Sequence, residues 1–305
     1  MKIISWNVNS LNIRKNQVLN YLDHLKNINS PCDFLCLQEL KMEDEVIAKS
    51  DFIKELKKRD FGFIFNGQKT YNGVGIIYAN KYEIVGENSI HSHLENLIEP
   101  DDNVKQSRLI SAEFCEKSQL CNNDKNFRLI CGYMPNGGNY GSDKFNYKLH
   151  WYDALILYLK TQLQTNKNII LCGDFNIAPT DDDIYNKTQF FWRITEQNPK
   201  NTFDNSVNKI CCCSYEEREK LDNIFALNFA DSYRYLQQKN KTHKNDFTWW
   251  DYRYAAYKRN EGLRIDLILT TPNLSEKLLS AGVDKFLREN ERPSDHAAVF
   301  AEIDF

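Results

Sequence analysis

The stretch Ile169-Ile170-Leu171-Cys172-Gly173-Asp174-Phe175-Asn176-Ile177-Ala178-Pro179 constrains the fold more than any other. Apolar residues run into a glycine and then into two polar side chains. A short apolar run bounded by Gly and Pro reads as a buried strand. Gly173 permits a sharp exit, and Pro179, which has no N–H, ends pairing soon afterwards. Strand period places Asp174 and Asn176 on the same side of that strand end. Asp and Asn are also ordinary turn residues. A carboxylate at the rim of an apolar core, however, needs a partner to offset lost hydration. The same pattern, a buried run closed by a polar side chain, recurs along the chain.

Residues 2–8 read as a strand with Asn7 and Asn9 at its end, followed by a helical pattern with Val18, Leu22 and Leu25 on one face. Residues 33–39 are a second buried strand, closed by Glu39. Residues 44–58 carry the stripe Val46, Ile47, Ile53 and Leu56 of a helix. Strands then dominate: 61–65 and 74–79 around a hairpin-like loop, and 108–114 and 127–133 around the polar segment 115–126. Residues 144–164 form the longest helical pattern. Residues 181–210 are polar and irregular, and Ser214-Tyr215-Glu216-Glu217 is a capping box that opens a helix through Leu227. Residues 263–269 and 296–303 close the chain as strands, with 282–287 as a further candidate. This order predicts an α/β fold: a mixed or antiparallel sheet pair with helices outside, in one domain spanning residues 1–305.

With 42% hydrophobic and 13% aromatic residues in 305, the chain buries a large core and is not a disordered chain. A net charge of -3 gives no global sign of nucleic-acid binding. It still allows a local basic face beside an acidic metal site. The cysteine count is nine, odd, with a triplet at Cys211-Cys212-Cys213 and no zinc-finger spacing, so a disulfide framework is not expected and a reducing compartment is. The N-terminal residues turn polar too soon for a signal peptide, and no run approaches a membrane span. The expectation is a soluble, intracellular, cytoplasmic protein.

The polar residues at strand ends are Asn7, Glu39, Tyr133, Asp174, Asn176, Asp266, Asp295 and His296. If they converge, they form a pocket of carboxylates, amides, an imidazole and a phenol. Such a set suits a hard divalent cation, which prefers oxygen ligands, more than zinc. A carboxylate to take a proton from water, a histidine to donate to a phosphoryl oxygen and amides to orient water suit phosphoester hydrolysis. There is no Walker loop and no Gly-x-Ser-x-Gly elbow. The residues alone therefore lead to a metal-assisted hydrolase.

Several strings also resemble a known family. They are Ser5-Trp6-Asn7-Val8-Asn9-Ser10-Leu11, Leu37-Gln38-Glu39-Leu40-Lys41, Gly132-Tyr133-Met134-Pro135-Asn136-Gly137, Gly173-Asp174-Phe175-Asn176-Ile177-Ala178-Pro179, Leu263-Arg264-Ile265-Asp266-Leu267-Ile268-Leu269 and Pro293-Ser294-Asp295-His296-Ala297. In this order they resemble the exonuclease III family of abasic-site endonucleases, within the endonuclease/exonuclease/phosphatase superfamily. The resemblance implies a four-layer α/β sandwich, two packed sheets flanked by helices. It implies Mg²⁺, with Mn²⁺ as a substitute, and metal ligands among Asn7, Glu39, Asp174, Asn176, Asp295 and His296. It gives Asp174 and Asn176 the attacking water, His296 and Tyr133 the scissile phosphate, and Asp266 the support of the imidazole. Lys41 would pair with the carboxylates.

What separates this chain from lipid and inositol phosphatases of the superfamily is Phe247-Thr248-Trp249-Trp250-Asp251-Tyr252-Arg253, followed by Arg264-Ile265-Asp266. Trp249, Leu263 and Ile265 match a pocket for an extrahelical abasic sugar, which a missing base makes easier to expose. Tyr252 and Arg253 match positions near the minor groove, and Asn136 and Arg108 match backbone contacts. Arg253, Lys258, Arg259 and Arg264 among tyrosines, and Lys239, Lys241, His243 and Lys244, are basic surfaces that also read as plain solvated faces. Segments 115–126 and 190–213 are longer than the compact family pattern. The implied activity is Mg²⁺-dependent cleavage 5′ to abasic sites in duplex DNA, with 3′–5′ exonuclease and 3′-end-cleaning activity beside it. The implied protein is a monomer, nucleoid-associated through DNA. The rivals are a lipid- or inositol-phosphate esterase and a catalytically silent DNA-binding module.

Overall fold

The computed structural model describes residues 1–99, 105–118, 125–186 and 212–305. Its first half runs β1 (Lys2–Asn7), α1 (Leu11–Asn27), β2 (Phe34–Gln38), α2 (Asp44–Ala48), α3 (Asp51–Lys58), β3 (Phe61–Asn66), β4 (Val74–Ala79), β5 (Tyr82–Ile84), β6 (Leu109–Glu116) and β7 (Phe127–Tyr133). There follow α4 (Asp143–Gln162), β8 (Ile169–Asp174), α5 (Tyr215–Phe225), β9 (Ala230–Asp231), α6 (Ser232–Asn240), β10 (Asp266–Thr270), β11 (Leu278–Asp284) and β12 (Ala298–Ile303), with shorter helical turns between.

The strands form two six-stranded sheets, in the orders β11-β12-β1-β2-β4-β3 and β5-β6-β7-β8-β10-β9. Each holds one parallel pair, β1 with β2 and β7 with β8, and is otherwise antiparallel. A parallel pair needs a long crossover, and helices α1 and α4 supply the two. Strand period explains the layering. In β1, Ile3 faces the opposite sheet while Ile4 and Trp6 face α1. In β8, Ile170 and Cys172 face the first sheet while Ile169 and Leu171 pack against α4 and α5. The result is the expected sandwich of helices, sheet, sheet and helices.

Several element boundaries differ from the sequence expectation. The helix expected over 44–58 is two, because Ser50 takes extended backbone before the second and donates its hydroxyl back to Ile47 O (2.6 Å). The strand expected from Leu263 begins at Asp266, since Leu263 bridges to Trp249 and Ile184 instead. The strand expected over 282–287 starts earlier, at Leu278, and ends at Asp284, whose carboxylate takes the Phe286 N–H (2.9 Å) and opens a helical turn. Lys239 lies on α6 rather than in a loop. The cysteines are not all reduced: Cys115 is disulfide-bonded. Much of 115–126 and 190–213, with Cys211, lies outside the described residues.

Candidate active site

The parallel pairs bring the C-terminal ends of β1, β2, β7 and β8 to one rim, and β10 and β12 enter beside them. Register alone aligns Tyr133, Asp174 and Asp266 as neighbours across three strands of the second sheet. The turn after β8 depends on Gly173 at φ +147°, where an added Cβ would lie 1.8 Å from Gly132 O. Only glycine allows strand β7 to pass that close. Asn176 and Glu39 both hold left-handed backbone, at φ +50° and +55°. Strained residues of this kind persist where surrounding structure fixes them, often at functional sites.

Asn7 bridges the sheets. Its amide Nδ2 donates to Glu39 Oε1 (2.8 Å) and to Asp174 Oδ2 (3.0 Å). One amide therefore sets the spacing of two carboxylates from opposite sheets. Asp174 Oδ1 accepts the Asn176 N–H (2.9 Å), and Asn176 Oδ1 accepts Asn136 Nδ2 (3.1 Å). Lys41 Nζ pairs with Glu39 Oε2 (2.8 Å), as expected, and donates to Asn9 Oδ1 (2.7 Å). Asn9 in turn donates to Asp295 Oδ1 (2.9 Å), and Trp249 Nε1 donates to Asp295 Oδ2 (3.0 Å). Sequence reasoning placed Asn9 at the strand end and gave it no role; it links Lys41 to Asp295.

His296 is buried. Its Nδ1 lies 2.8 Å from Asp266 Oδ2 and its Nε2 lies 3.7 Å from Asp174 Oδ2. Burial works against its charge, but Asp266 and Asp174 outweigh that and hold its pKa up at about 10. Burial pushes Asp174 up to about 7, with Asp266 and Glu39 adding to the rise against the opposing pull of His296 and Asn7. Burial, with Glu39 and Asp174, raises Tyr133 well above the usual phenol range, so its hydroxyl stays a donor. Asp295 is held low: burial opposes this, but His296, Asn9 and Trp249 prevail.

These side chains line a cavity of about 360 Å³ with Glu39, Tyr133, Asn136, Asp174, Asn176, Trp249, Arg253, Leu263, Ile265, Asp295 and His296 in its wall. The lining combines ionic side chains with the apolar Trp249, Leu263 and Ile265. Tyr185, Cys212, Asp251 and Glu261 also line it and were not anticipated; only the folded chain brings residues so far apart in sequence to one wall. Asn7 and Asp266 sit behind the wall, buried. Of the expected DNA contacts, two do not line the cavity either. Arg108 stacks on the Tyr133 ring (4.9 Å) and donates to Tyr133 O (3.2 Å). Tyr252 stands outside, half-exposed, its hydroxyl held by Arg14 (3.1 Å) and Pro293 O (2.9 Å). Arg253 reaches the wall paired with Asp251 (2.6 Å). Arg264, read as surface, is buried between Asp183 (2.6 Å) and Asp231 (2.7 Å) behind the apolar wall.

Glu39, Asp174 and His296 each offer a ligand atom, all within 4.8 Å of one another. Two carboxylates tied by one amide fit a hard cation well. His296 fits less well, because its two aspartates favour the imidazolium. Asp295 lies outside this trio, its oxygens accepting from Asn9 and Trp249.

The chain has clear relatives. A model of the Endonuclease/Exonuclease/phosphatase family matches residues 4–296. Exodeoxyribonuclease III of Haemophilus influenzae is 30% identical over 99% of this chain and 99% of its own length. An exodeoxyribonuclease of Bacillus subtilis is 27% identical over 98% of each. Among solved structures, a 3′ phosphatase from Neisseria bound to product DNA hairpin is 35% identical, with a TM-score of 0.79 and 100% of both chains covered. An AP endonuclease from Archaeoglobus fulgidus is 28% identical, with a TM-score of 0.76 and the same coverage.

Proposed function

Since this chain belongs to the endonuclease/exonuclease/phosphatase family, in its exonuclease III branch, and is a metal-dependent DNA-repair nuclease, we propose that it uses Mg²⁺ to hydrolyse the phosphodiester 5′ to abasic sites in duplex DNA. The observation that carries this reading is the mixed lining of the cavity. Carboxylates, imidazole and phenol share one space with the apolar Trp249, Leu263 and Ile265. The apolar residues suit a base-free sugar, and the ionic ones suit its phosphate.

Glu39 and Asp174 would hold the Mg²⁺, with Asn7 fixing their separation. When bound, the cation neutralises phosphate charge and favours attack by water. Asp174, aimed by Asn7 and the Asn176 N–H, accepts a proton from the attacking water, and Asn176 orients it. His296, held as imidazolium by Asp266, donates from Nε2 to a phosphoryl oxygen. Tyr133 donates its hydroxyl to the same group. The roles of Asn136 and Arg108 on the DNA backbone, and of Tyr252 and Arg253 near the minor groove, belong to the same proposal. Asn136 and Arg253 line the cavity, and Arg108 and Tyr252 do not.

A second activity on 3′ ends is favoured by the similarity to the 3′ phosphatase from Neisseria, which matches this chain over its whole length. Cleavage of a duplex with one abasic analogue, compared with release of a 3′ phosphate from a nicked duplex, ranks the two. Cleavage at the abasic analogue supports the main reading. Hydrolysis confined to the 3′ phosphate would replace it with end processing.

A further inference from the structure

Behind the cavity, on the side away from Asn7, lies an ion pair with both side chains wholly shielded from solvent: Lys148 of α4 and Glu217 at the start of α5. We propose that Lys148, anchored by Glu217, is a positioning residue that sets Asn176 and Asn136 for hydrolysis. This rests on the nuclease reading.

Among the described residues the ammonium donates to three acceptors. They are Glu217 Oε1, the main-chain carbonyl of Asn176 (2.7 Å) and that of Asn136 (3.4 Å). Glu217 is equally committed. It accepts the Cys212 N–H (3.0 Å) at Oε1, and the Ser214 N–H (3.0 Å) and hydroxyl (2.9 Å) at Oε2. Of these contacts a capping box needs only the one from the Ser214 N–H. The additional pairing with Lys148 joins the end of α5 to both site loops. Asn176 has no slack left. Its N–H goes to Asp174, its Nδ2 to Met134 O (3.0 Å), its Oδ1 takes Asn136 Nδ2, and its carbonyl takes Lys148.

Asn176 also sits in left-handed backbone, which asparagine tolerates only as a minor conformer. A fixed cation on its carbonyl stabilises that geometry. Because Asn176 N–H holds Asp174 Oδ1, movement of this turn moves the carboxylate that meets the water. A shift of about 1 Å at a reacting group can lower a rate about 10²-fold. A buried pair replaced on both sides is often tolerated where loss of one partner is not.

The test is the double variant Lys148→Met/Glu217→Gln, since glutamine keeps the length of Glu217 and one acceptor oxygen for Ser214. Cleavage of an abasic duplex is measured with Mg²⁺, DNA affinity with EDTA, and unfolding temperature alone. The expected result is kcat about 10²-fold lower, with dissociation constant and unfolding temperature close to wild type. Unchanged kcat in the folded variant, or a parallel fall in affinity and stability, would overturn the proposal. If the double variant does not fold, Glu217→Gln alone decides: it keeps the charge of Lys148 and loosens its anchor. A drop of about tenfold in kcat at constant affinity supports the role, and no drop overturns it. Wild type run in parallel separates this from the nuclease reading, which fails only if wild type itself does not cleave.

Discussion

Asp174 carries the chemistry at the scale of single residues. Burial lifts its pKa to about 7, and the hydrogen bonds from Asn7 and the Asn176 N–H aim its oxygens. Asp174→Asn keeps volume and most contacts and removes the proton acceptor. We expect kcat to fall about 10²- to 10⁴-fold with folding and metal-free DNA binding retained, read by single-turnover kinetics. Near-wild-type turnover would remove Asp174 from its role. Gly173 is different in kind. A methyl group there meets Gly132 O, which is backbone and cannot step aside. Gly173→Ala should destabilise by about 3 kcal/mol or more, measured by denaturant unfolding. Both residues were legible in the sequence, because a buried strand that ends Gly-Asp leaves few alternatives. Asn9 and Lys148 were not. Asn9 resembles any polar turn residue, and Lys148 lies in a helical pattern where a lysine normally reads as solvent-facing.

Elements decide selectivity and acid tolerance. The apolar wall of Trp249, Leu263 and Ile265 stands on segments braced from behind by Arg264, Asp183, Asp231 and Arg234. Trp249→Ala should cost more in abasic-site selection than in general DNA affinity, seen by comparing binding of abasic and intact duplexes. Equal losses on both would disconnect the wall from recognition. The brace also has a pH signature. Burial alone would raise the Asp183 pKa, but Arg264 and Arg234 outweigh it and hold it below the ordinary carboxylate value. The folded state therefore binds fewer protons than the unfolded chain in the acid range. This stabilisation is complete above the unfolded pKa of about 4 and is lost as pH falls through the lower folded value. Asp183→Asn should lose about 3 kcal/mol near pH 7 and show a shallower acid limb below pH 4, followed by urea unfolding across pH. An unaltered acid limb would mean that the pair contributes nothing to folding. Periodicity disclosed the long elements but not β5 and β9, which are too short to show a period. It also missed the break at Ser50, where a side chain bonds to backbone in place of the helix.

For the whole molecule, the two sheets repeat one arrangement, a central parallel pair crossed by a helix, and the site forms where the ends of both pairs meet. The sandwich could be inferred from the alternation of buried strands with helices. Convergence could not, because contacts such as Asn7 with Asp174 join strand ends from opposite sheets, and Trp249 reaches Asp295 from a segment outside both sheets. The order of motifs, through family resemblance, supplied what local pattern lacked. The central claim is that one cavity unites a cation-dependent hydrolytic face with a pocket for a base-free sugar. The most direct test is a denaturing gel of an end-labelled duplex with a single abasic analogue beside an intact duplex, each with Mg²⁺ or EDTA. The account predicts one cut, 5′ to the analogue, with Mg²⁺ alone, and little internal cleavage of the intact duplex. Equal internal cleavage of both duplexes, or cleavage that persists in EDTA, would contradict it.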